Sequence, residues 1–459
     1  MSRVALIGEN SIEYICALLD IWNNGDCAVL IDSQIPPHKA VEMMDEAEVE
    51  RCYIETKFHH SIYECSGRAI QLIPYERDDT SAQFLPKDVY DKFKENYTRE
   101  EAVVIYSSGT TGKSKGIILS HFAINTNADA IIDYMRPCAN DCMYIVRNLT
   151  HSSTITGELL VALKTKTPVL IAPVIVPPRY VLNNIAQYGV TIIGVNPLLL
   201  SMYVTEYKVR AYDIDVLKKI YVSGSILGDK ICDTAHKVFS KQEIYNVYGL
   251  SEAGPRVAAQ RYDCCGRNSV GKCIKGVDVV IVDENGDILT IGERGIIHVN
   301  SPSIFSGYII GQVKHKSLYN GWLNTGDIGY WDENDELHIV GRSDDLIIIG
   351  AHKIYPSEVE RCVEAVSDIQ ECVVVPIQTK NEVYLCCIYV SGTPIQMDIR
   401  RALKTKLLNF EIPKLFLRVE TLPKNQNGKI MASSIRERIS KECAIMEIKQ
   451  IKHSVLDNL

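Results

Sequence analysis

Val103 to His121, VVIYSSGTTGKSKGIILSH, constrains the fold and chemistry of this chain more than any other stretch. An apolar run ends in Ser107, Ser108, Gly109, Thr110, Thr111 and Gly112, small and hydroxylated residues whose backbone N–H groups can turn inward. Lys113 and Lys115 bring positive charge to the same loop. That composition suits a cradle for phosphate. Gly112-Lys113-Ser114 invites a Walker reading, but the pattern G-x-x-x-x-G-K-[ST] needs glycine where this chain has Ser107. A Walker loop also opens a helix, whereas Gly116 to Ser120 reads as a second strand. Strand, loop, strand is the expected arrangement, with a flexible Gly/Ser/Thr hairpin as the bland alternative.

Further blocks stand in order behind that loop. Glu243 to Glu252, EIYNVYGLSE, places Tyr248, Gly249, Leu250, Ser251 and Glu252 at the end of a strand pattern. Thr325-Gly326-Asp327 follows in GWLNTGD, then Gly341-Arg342-Ser343-Asp344-Asp345, and Leu422 to Lys429, LPKNQNGK, closes the series. Together with SSGTTGKSKG these blocks resemble the adenylate-forming superfamily of acyl- and aryl-CoA synthetases, peptide-synthetase adenylation domains and firefly luciferase. That family's loop ends Pro-Lys-Gly, and Ser114 stands here in place of the proline. Its later block reads aromatic-Gly-x-Thr-Glu, and Ser251 keeps the threonine's hydroxyl. The resemblance runs from Val4 to about Arg436, and family members usually carry several dozen residues before its first strand.

The resemblance implies an AMP-forming ligase. A substrate carboxylate would attack the α-phosphorus of ATP, giving acyl-AMP and pyrophosphate, a step that asks for positioning and charge neutralisation more than covalent help. Ser107, Ser108, Gly109, Thr110, Thr111, Gly112 and Lys115 would hold the β- and γ-phosphates. Tyr248 would offer adenine a stacking face, Gly249 a close backbone approach, Ser251 a hydroxyl to phosphate and Glu252 a hard oxygen to Mg2+. Gly224 and Ser225, by themselves a strand-end turn, would lie against the adenine. Asp327 would take the ribose hydroxyls, since a carboxylate can accept two hydrogen bonds, and Arg342 would touch ribose or phosphate. Lys429, otherwise a solvated turn lysine after Asn-Gly, would be the catalytic lysine between carboxylate and α-phosphate. Rotation about Asp344 would then withdraw it and admit a thiol, from CoA or from a carrier-protein phosphopantetheine. Ala351 bears on that acceptor, because the family's glycine there borders the pantetheine path.

His151 either borders the acyl pocket or is a structural histidine. Ser152, Ser153 and Thr154 stand where amino-acid-activating members use an aspartate for the substrate ammonium, which argues against an α-amino acid. These motifs do not set the acid itself. A CoA ligase leads, followed by an enzyme that loads a carrier protein, a phosphotransferase releasing ADP, and a non-catalytic nucleotide-binding relative.

The fold is legible from alternation. Val4 to Ile7 reads as a buried strand, Ser11 to Asn23 as a helix and Cys27 to Ile31 as the next strand, the rhythm of a doubly wound α/β sheet. His151 to Leu163 reads as one helix. Val277 to Val282, Gly295 to Val299 and Gly307-Tyr308 read as short strands of a small β-barrel-like subdomain. Beyond Val340 the style changes to short α+β elements such as Ser357 to Val366 and Glu371 to Ile377. The expected organisation is a large N-terminal adenylation core over 1–341 and a small mobile α+β domain over 342–459, with the hinge near Asp344.

Composition excludes several other classes. At 459 residues the chain has room for two or three domains and a core that needs no staples. A net charge of −8 offers no basic face for nucleic acid. The 15 cysteines are scattered without any C-x-x-C, which reads as reduced thiols of a cytoplasmic protein rather than as disulfides or zinc ligands. The longest apolar patch, Pro168 to Pro177, is far too short to span a membrane, and nothing reads as a secretory signal.

Overall fold

A computed structural model describes residues 1–66, 70–77, 81–108, 114–173, 176–261, 269–309, 318–349, 352–378, 383–424 and 430–443. Val4, Ala5, Leu6 and Ile7 are apolar in succession, so the strand Arg3–Gly8 needs cover on both faces. The helix Ile12–Asn23 starts where Ser11 accepts a 3.0 Å hydrogen bond from the Tyr14 N–H, and it turns Ile15, Leu18 and Leu19 inward. Gly25, at φ +75°, then releases the chain into Cys27–Asp32, parallel to the first strand.

Seven strands form that first sheet, in the order Gly307–Tyr308, Ser114–Ser120, Glu101–Ser108, Cys27–Asp32, Arg3–Gly8, Arg51–Glu55 and Gln71–Tyr75. Those from Glu101–Ser108 onward run parallel. Ser114–Ser120 folds back antiparallel on Glu101–Ser108, with Ser107 opposite Lys115. The expected strand, loop, strand arrangement is present, and no helix follows the loop directly.

A second seven-stranded sheet has the order Ala258–Arg261, Glu243–Tyr248, Lys219–Val222, Ile192–Val195, Met143–Ile145, Val169–Ile171 and Gln83–Phe84. It is parallel through its centre, with both edge strands antiparallel. The helix His121–Met135 is buried on most of its faces and shares one apolar core with both sheets. Tyr248 and Ser108 thus end strands of different sheets.

The third sheet is antiparallel, running Ser269–Gly271, Leu337–Arg342, Trp322–Trp331, Gly295–Asn300 and Asp278–Val282, with Leu318–Tyr319 paired to Trp322–Trp331. Among the described residues its path is open, the half-barrel form of the expected barrel-like part. A short 3-10 turn, Ser343–Asp345, leads out of it. Beyond lie the hairpin of Ile347–Ile349 and His352–Ile354 and the sheet of Ile369–Gln378, Val383–Ser391 and Leu415–Val419, packed by Pro356–Glu364, Gln396–Lys404 and Ala432–Cys443. The fold is therefore α/β, with a large N-terminal domain and a small α+β C-terminal one.

Two expectations need correction. Gly307–Tyr308 is not a strand of the barrel-like part: it pairs antiparallel with Ser114–Ser120 at the edge of the first sheet. His151 to Leu163 is not a single α-helix: Ser152–Thr154 is one α turn, Ile155–Leu160 is a π-helix, and α geometry resumes at Val161–Thr165. Thr154, Ile155 and Thr156 are β-branched and Gly157 follows, so regular α geometry is weakly favoured there. The wider turn carries Glu158 inward against Arg147.

Candidate active site

The base of the Gly/Ser/Thr loop faces the block around Glu252. Lys115 Nζ lies 5.6 Å from the centre of the Tyr308 ring, and the Tyr308 hydroxyl donates to Glu252 Oε1 at 2.9 Å. The neighbouring Ser251 Oγ lies 2.9 Å from Ser152 Oγ, beside half-buried His151. Four separated stretches therefore meet at one place. Gly109, Thr110, Thr111, Gly112 and Lys113, which would touch phosphate, lie outside the described residues.

Gly249 makes the tight turn before Ser251. A Cβ there would stand 1.9 Å from the Pro255 carbonyl oxygen, so only glycine lets Pro255 fold back against this turn. The Gly254-Pro255 peptide bond is cis.

Asp327 lies at the centre of a second cluster. The Tyr248 hydroxyl donates to its Oδ2 at 2.7 Å and Arg342 Nη1 to its Oδ1 at 2.9 Å. Arg342 also donates to the Thr325 carbonyl at 2.8 Å, and Thr325 Oγ1 accepts from the Asp327 N–H at 3.0 Å. Asp327 and Arg342 face each other across antiparallel strands, which explains why residues from two separate blocks meet. Gly326, at φ +70°, leaves room for the guanidinium: a Cβ there would come within 2.8 Å of Arg342 Nη2. Burial, together with the adjacent Asp327 carboxylate, pushes the Tyr248 phenol well above its ordinary value. Burial works against the charge on Arg342, but Asp327, with Asp344 and Tyr248 adding to it, holds the guanidinium above its usual pKa.

Ser223-Gly224-Ser225 ends the strand Lys219–Val222, with Gly224 at φ +100° and both Gly224 and Ser225 exposed. The side chain of Ser223 turns inward instead and accepts from Arg147 Nη1 at 2.8 Å.

Sequence reasoning passed over the group beneath that strand end. Arg147 pairs with Glu158 through Nε at 3.1 Å and again through Nη2. Arg256 is 1% exposed, donates to the Tyr134 hydroxyl, and stands over the Tyr134 and Tyr221 rings at 5.9 and 5.3 Å. Burial raises the Glu158 carboxyl above its ordinary range, with Arg147 and Arg256 pulling the other way. The available signal was the arginine in Glu252-Ala253-Gly254-Pro255-Arg256-Val257-Ala258, a lone charge in an apolar run beside a recognised block.

Residues 1–309 match the model of the AMP-binding enzyme family, and residues 358–429 match that of the AMP-binding enzyme C-terminal domain. The chain belongs to the AMP-binding enzyme family. It is an adenylate-forming protein of the acid–thiol ligase class. The 2-succinylbenzoate–CoA ligase of Bacillus mycoides (strain KBAB4) is 26% identical over 451 residues, 95% of this chain and 88% of the relative. The 4-coumarate–CoA ligase CCL1 of Humulus lupulus is 29% identical over 358 residues, 74% of this chain and 65% of the relative. Among solved structures, ATP-bound MatB from Rhodopseudomonas palustris superposes with a TM-score of 0.85 at 22% identity, covering 96% of this chain and 89% of that one.

In this AMP-binding enzyme, Lys429 and Ala351 lie outside the described residues. Asp344 is exposed in the turn Ser343–Asp345, whose Asp345 meets Arg436 at 3.6 Å. Arg294 to Glu358 at 2.8 Å and Lys230 Nζ to the Ile369 carbonyl at 2.9 Å link the large and small domains. Asp332, Glu336 and His338 also gather their ligand atoms, but Asp332 Oδ1 accepts the N–H groups of Asn334 and Glu336, so this cluster caps a hairpin turn. The cysteines whose side chains are described, from Cys16 to Cys387, are free thiols, and no described helix is long and apolar enough to cross a membrane.

Proposed function

We propose that this AMP-binding enzyme activates a carboxylic acid with ATP, giving acyl-AMP and pyrophosphate, and transfers the acyl group to the thiol of CoA. The observation that carries this reading is the meeting of Lys115, Tyr308, Glu252 and Ser251 at the base of the phosphate loop, with the Tyr248–Asp327–Arg342 cluster at the end of the same strand block. The relatives named as CoA ligases support the choice of acceptor.

Each residue has a distinct task in this scheme. Lys115 and the loop from Ser107 to Gly112 hold the β- and γ-phosphates by charge and backbone N–H groups. Gly224 and Ser225 lie against adenine, and Tyr248 supplies a ring for it. Asp327 accepts from the ribose, exchanging one of its present bonds for a ribose hydroxyl, while Arg342 holds the carboxylate in place. The carboxylate of Glu252, held on one oxygen by Tyr308, fits a hard divalent cation such as Mg2+, which when bound would neutralise phosphate charge. Ser251 points its hydroxyl toward the same ground, and His151 borders the acyl group. Lys429 brings its ammonium between carboxylate and α-phosphate. The small domain, 342–459, turns about Asp344 to exchange Lys429 for the incoming thiol.

The test is product analysis with ATP, Mg2+, a panel of aryl and acyl acids, and CoA. AMP and acyl-CoA formed one for one are expected. Acylation of a carrier protein in place of CoA would replace the acceptor, and ATP binding without turnover would make the chain a non-catalytic relative.

A further inference from the structure

Arg256 is among the largest fully buried side chains of the protein, and its charge is not balanced by the groups around it. Nη1 donates to the Tyr134 hydroxyl and lies 3.8 Å from the Met135 sulfur. Nε and Nη2 find no hydrogen-bond partner among the described residues. The carboxylate nearest in charge, Glu158, is already engaged by Arg147, and its Oε2 also lacks a partner. Glu243, the other acid near the tyrosines, accepts from Arg261 and from the Tyr245 hydroxyl, each at 3.0 Å. Two guanidinium groups against one carboxylate leave a net positive charge in a water-poor site. A buried cation without a counter-charge is costly, so an anion is needed to complete this group.

The site is shaped for those charged heads. A Cβ at Gly157 would lie 2.8 Å from Arg256 Nη2 and 3.1 Å from Nε, the two nitrogens in question. A Cβ at Gly194 would lie 2.5 Å from Glu158 Oε1. The group also adjoins the proposed reaction centre: Gly157 follows His151 and Ser152 in the same helical stretch, Arg147 holds Ser223 beside Gly224, and Arg256 stands four residues past Glu252.

We propose that Arg256, with Arg147 and Glu158 behind it, binds a second carboxylate on the acid that is activated, so the substrate class is dicarboxylic acids. This rests on the ligase reading above. One carboxylate reacts with ATP at the loop side, and the other meets Nε and Nη2 of Arg256 as a planar, two-point ion pair.

Pyrophosphate–ATP exchange with matched acids, butyrate against succinate, hexanoate against adipate and benzoate against phthalate, tests it in the wild type and in Arg256→Met and Arg256→Lys. The wild type is expected to favour the diacid of at least one pair by about 30-fold or more in kcat/KM. Arg256→Met should lower kcat/KM for the diacid far more than for its matched monoacid and so remove that preference, and Arg256→Lys should retain part of it. Monoacids used as well as diacids by the wild type would overturn the inference and leave the ligase reading standing. So would an equal loss on both acids in a folded Arg256→Met. Exchange with no acid of either kind would overturn the ligase reading and this inference with it.

Discussion

The Tyr248 hydroxyl donates a 2.7 Å hydrogen bond to Oδ2 of Asp327, joining a strand of the second sheet to one of the third. With Arg342 on Oδ1, Asp327 is fixed from two sides before any nucleotide contact is considered. Asp327→Ala should therefore raise the KM for ATP by about 10-fold or more, the worth of a charge-assisted hydrogen bond. Tyr248→Phe keeps the ring and should cost less than Asp327→Ala. Steady-state kinetics over ATP concentration separate the two, and equal effects would contradict the assigned ribose role.

Glu252→Gln keeps the hydrogen bond from Tyr308 but removes the charge proposed for Mg2+. The expected result is a fall in kcat on the order of 100-fold with a raised Mg2+ requirement. Titration of activity against Mg2+ checks it. Unchanged metal dependence would remove Glu252 from that role.

Gly249 is a packing requirement as well as part of a recognised block. Gly249→Ala places a methyl group 1.9 Å from the Pro255 carbonyl oxygen, a backbone atom that cannot step aside. Destabilisation of about 1–3 kcal/mol is expected, read as a lowered denaturation midpoint. A wild-type midpoint would show that the turn can relax.

Glu360 sets a pH dependence in the small domain. It is half-buried, and although the Val374 N–H donates to it at 2.7 Å, burial pushes its carboxyl up from about 4.5 to about 7, with Glu364 and Asp345 adding repulsion. The folded pKa lies above the unfolded one, so this group's contribution to stability is full below about 4.5 and is lost as pH rises through about 7. Glu360→Gln should flatten that loss and stabilise the protein at pH 8 by up to about 3 kcal/mol. Denaturant unfolding at pH 5 and pH 8 measures it. An equal pH slope in both proteins would contradict the assignment.

The parts legible in the sequence were those whose chemistry is local. Ser107 to Gly116 declared a loop between two strands because glycine and hydroxyl residues separate two apolar runs, and Asp327 stood out within Thr-Gly-Asp. The pairing of Asp327 with Tyr248 was not legible, since it depends on how the second and third sheets meet. The π-helix at Ile155–Leu160 was hidden because almost every residue from Ile155 to Leu163 is apolar or small, leaving no polar face whose period could show a widened turn. Arg147, Glu158 and Arg256 were hidden for another reason. A charged residue in sequence reads as surface by default, and only the fold shows these three turned inward.

Exchange of labelled pyrophosphate into ATP, with CoA absent, tests the central claim most directly. Label should enter ATP only when a carboxylic acid is supplied, because adenylate formation is reversible at the acyl-AMP stage. Acid-dependent release of ADP, or no exchange across aryl, aliphatic and dicarboxylic acids by protein that binds ATP, would contradict it.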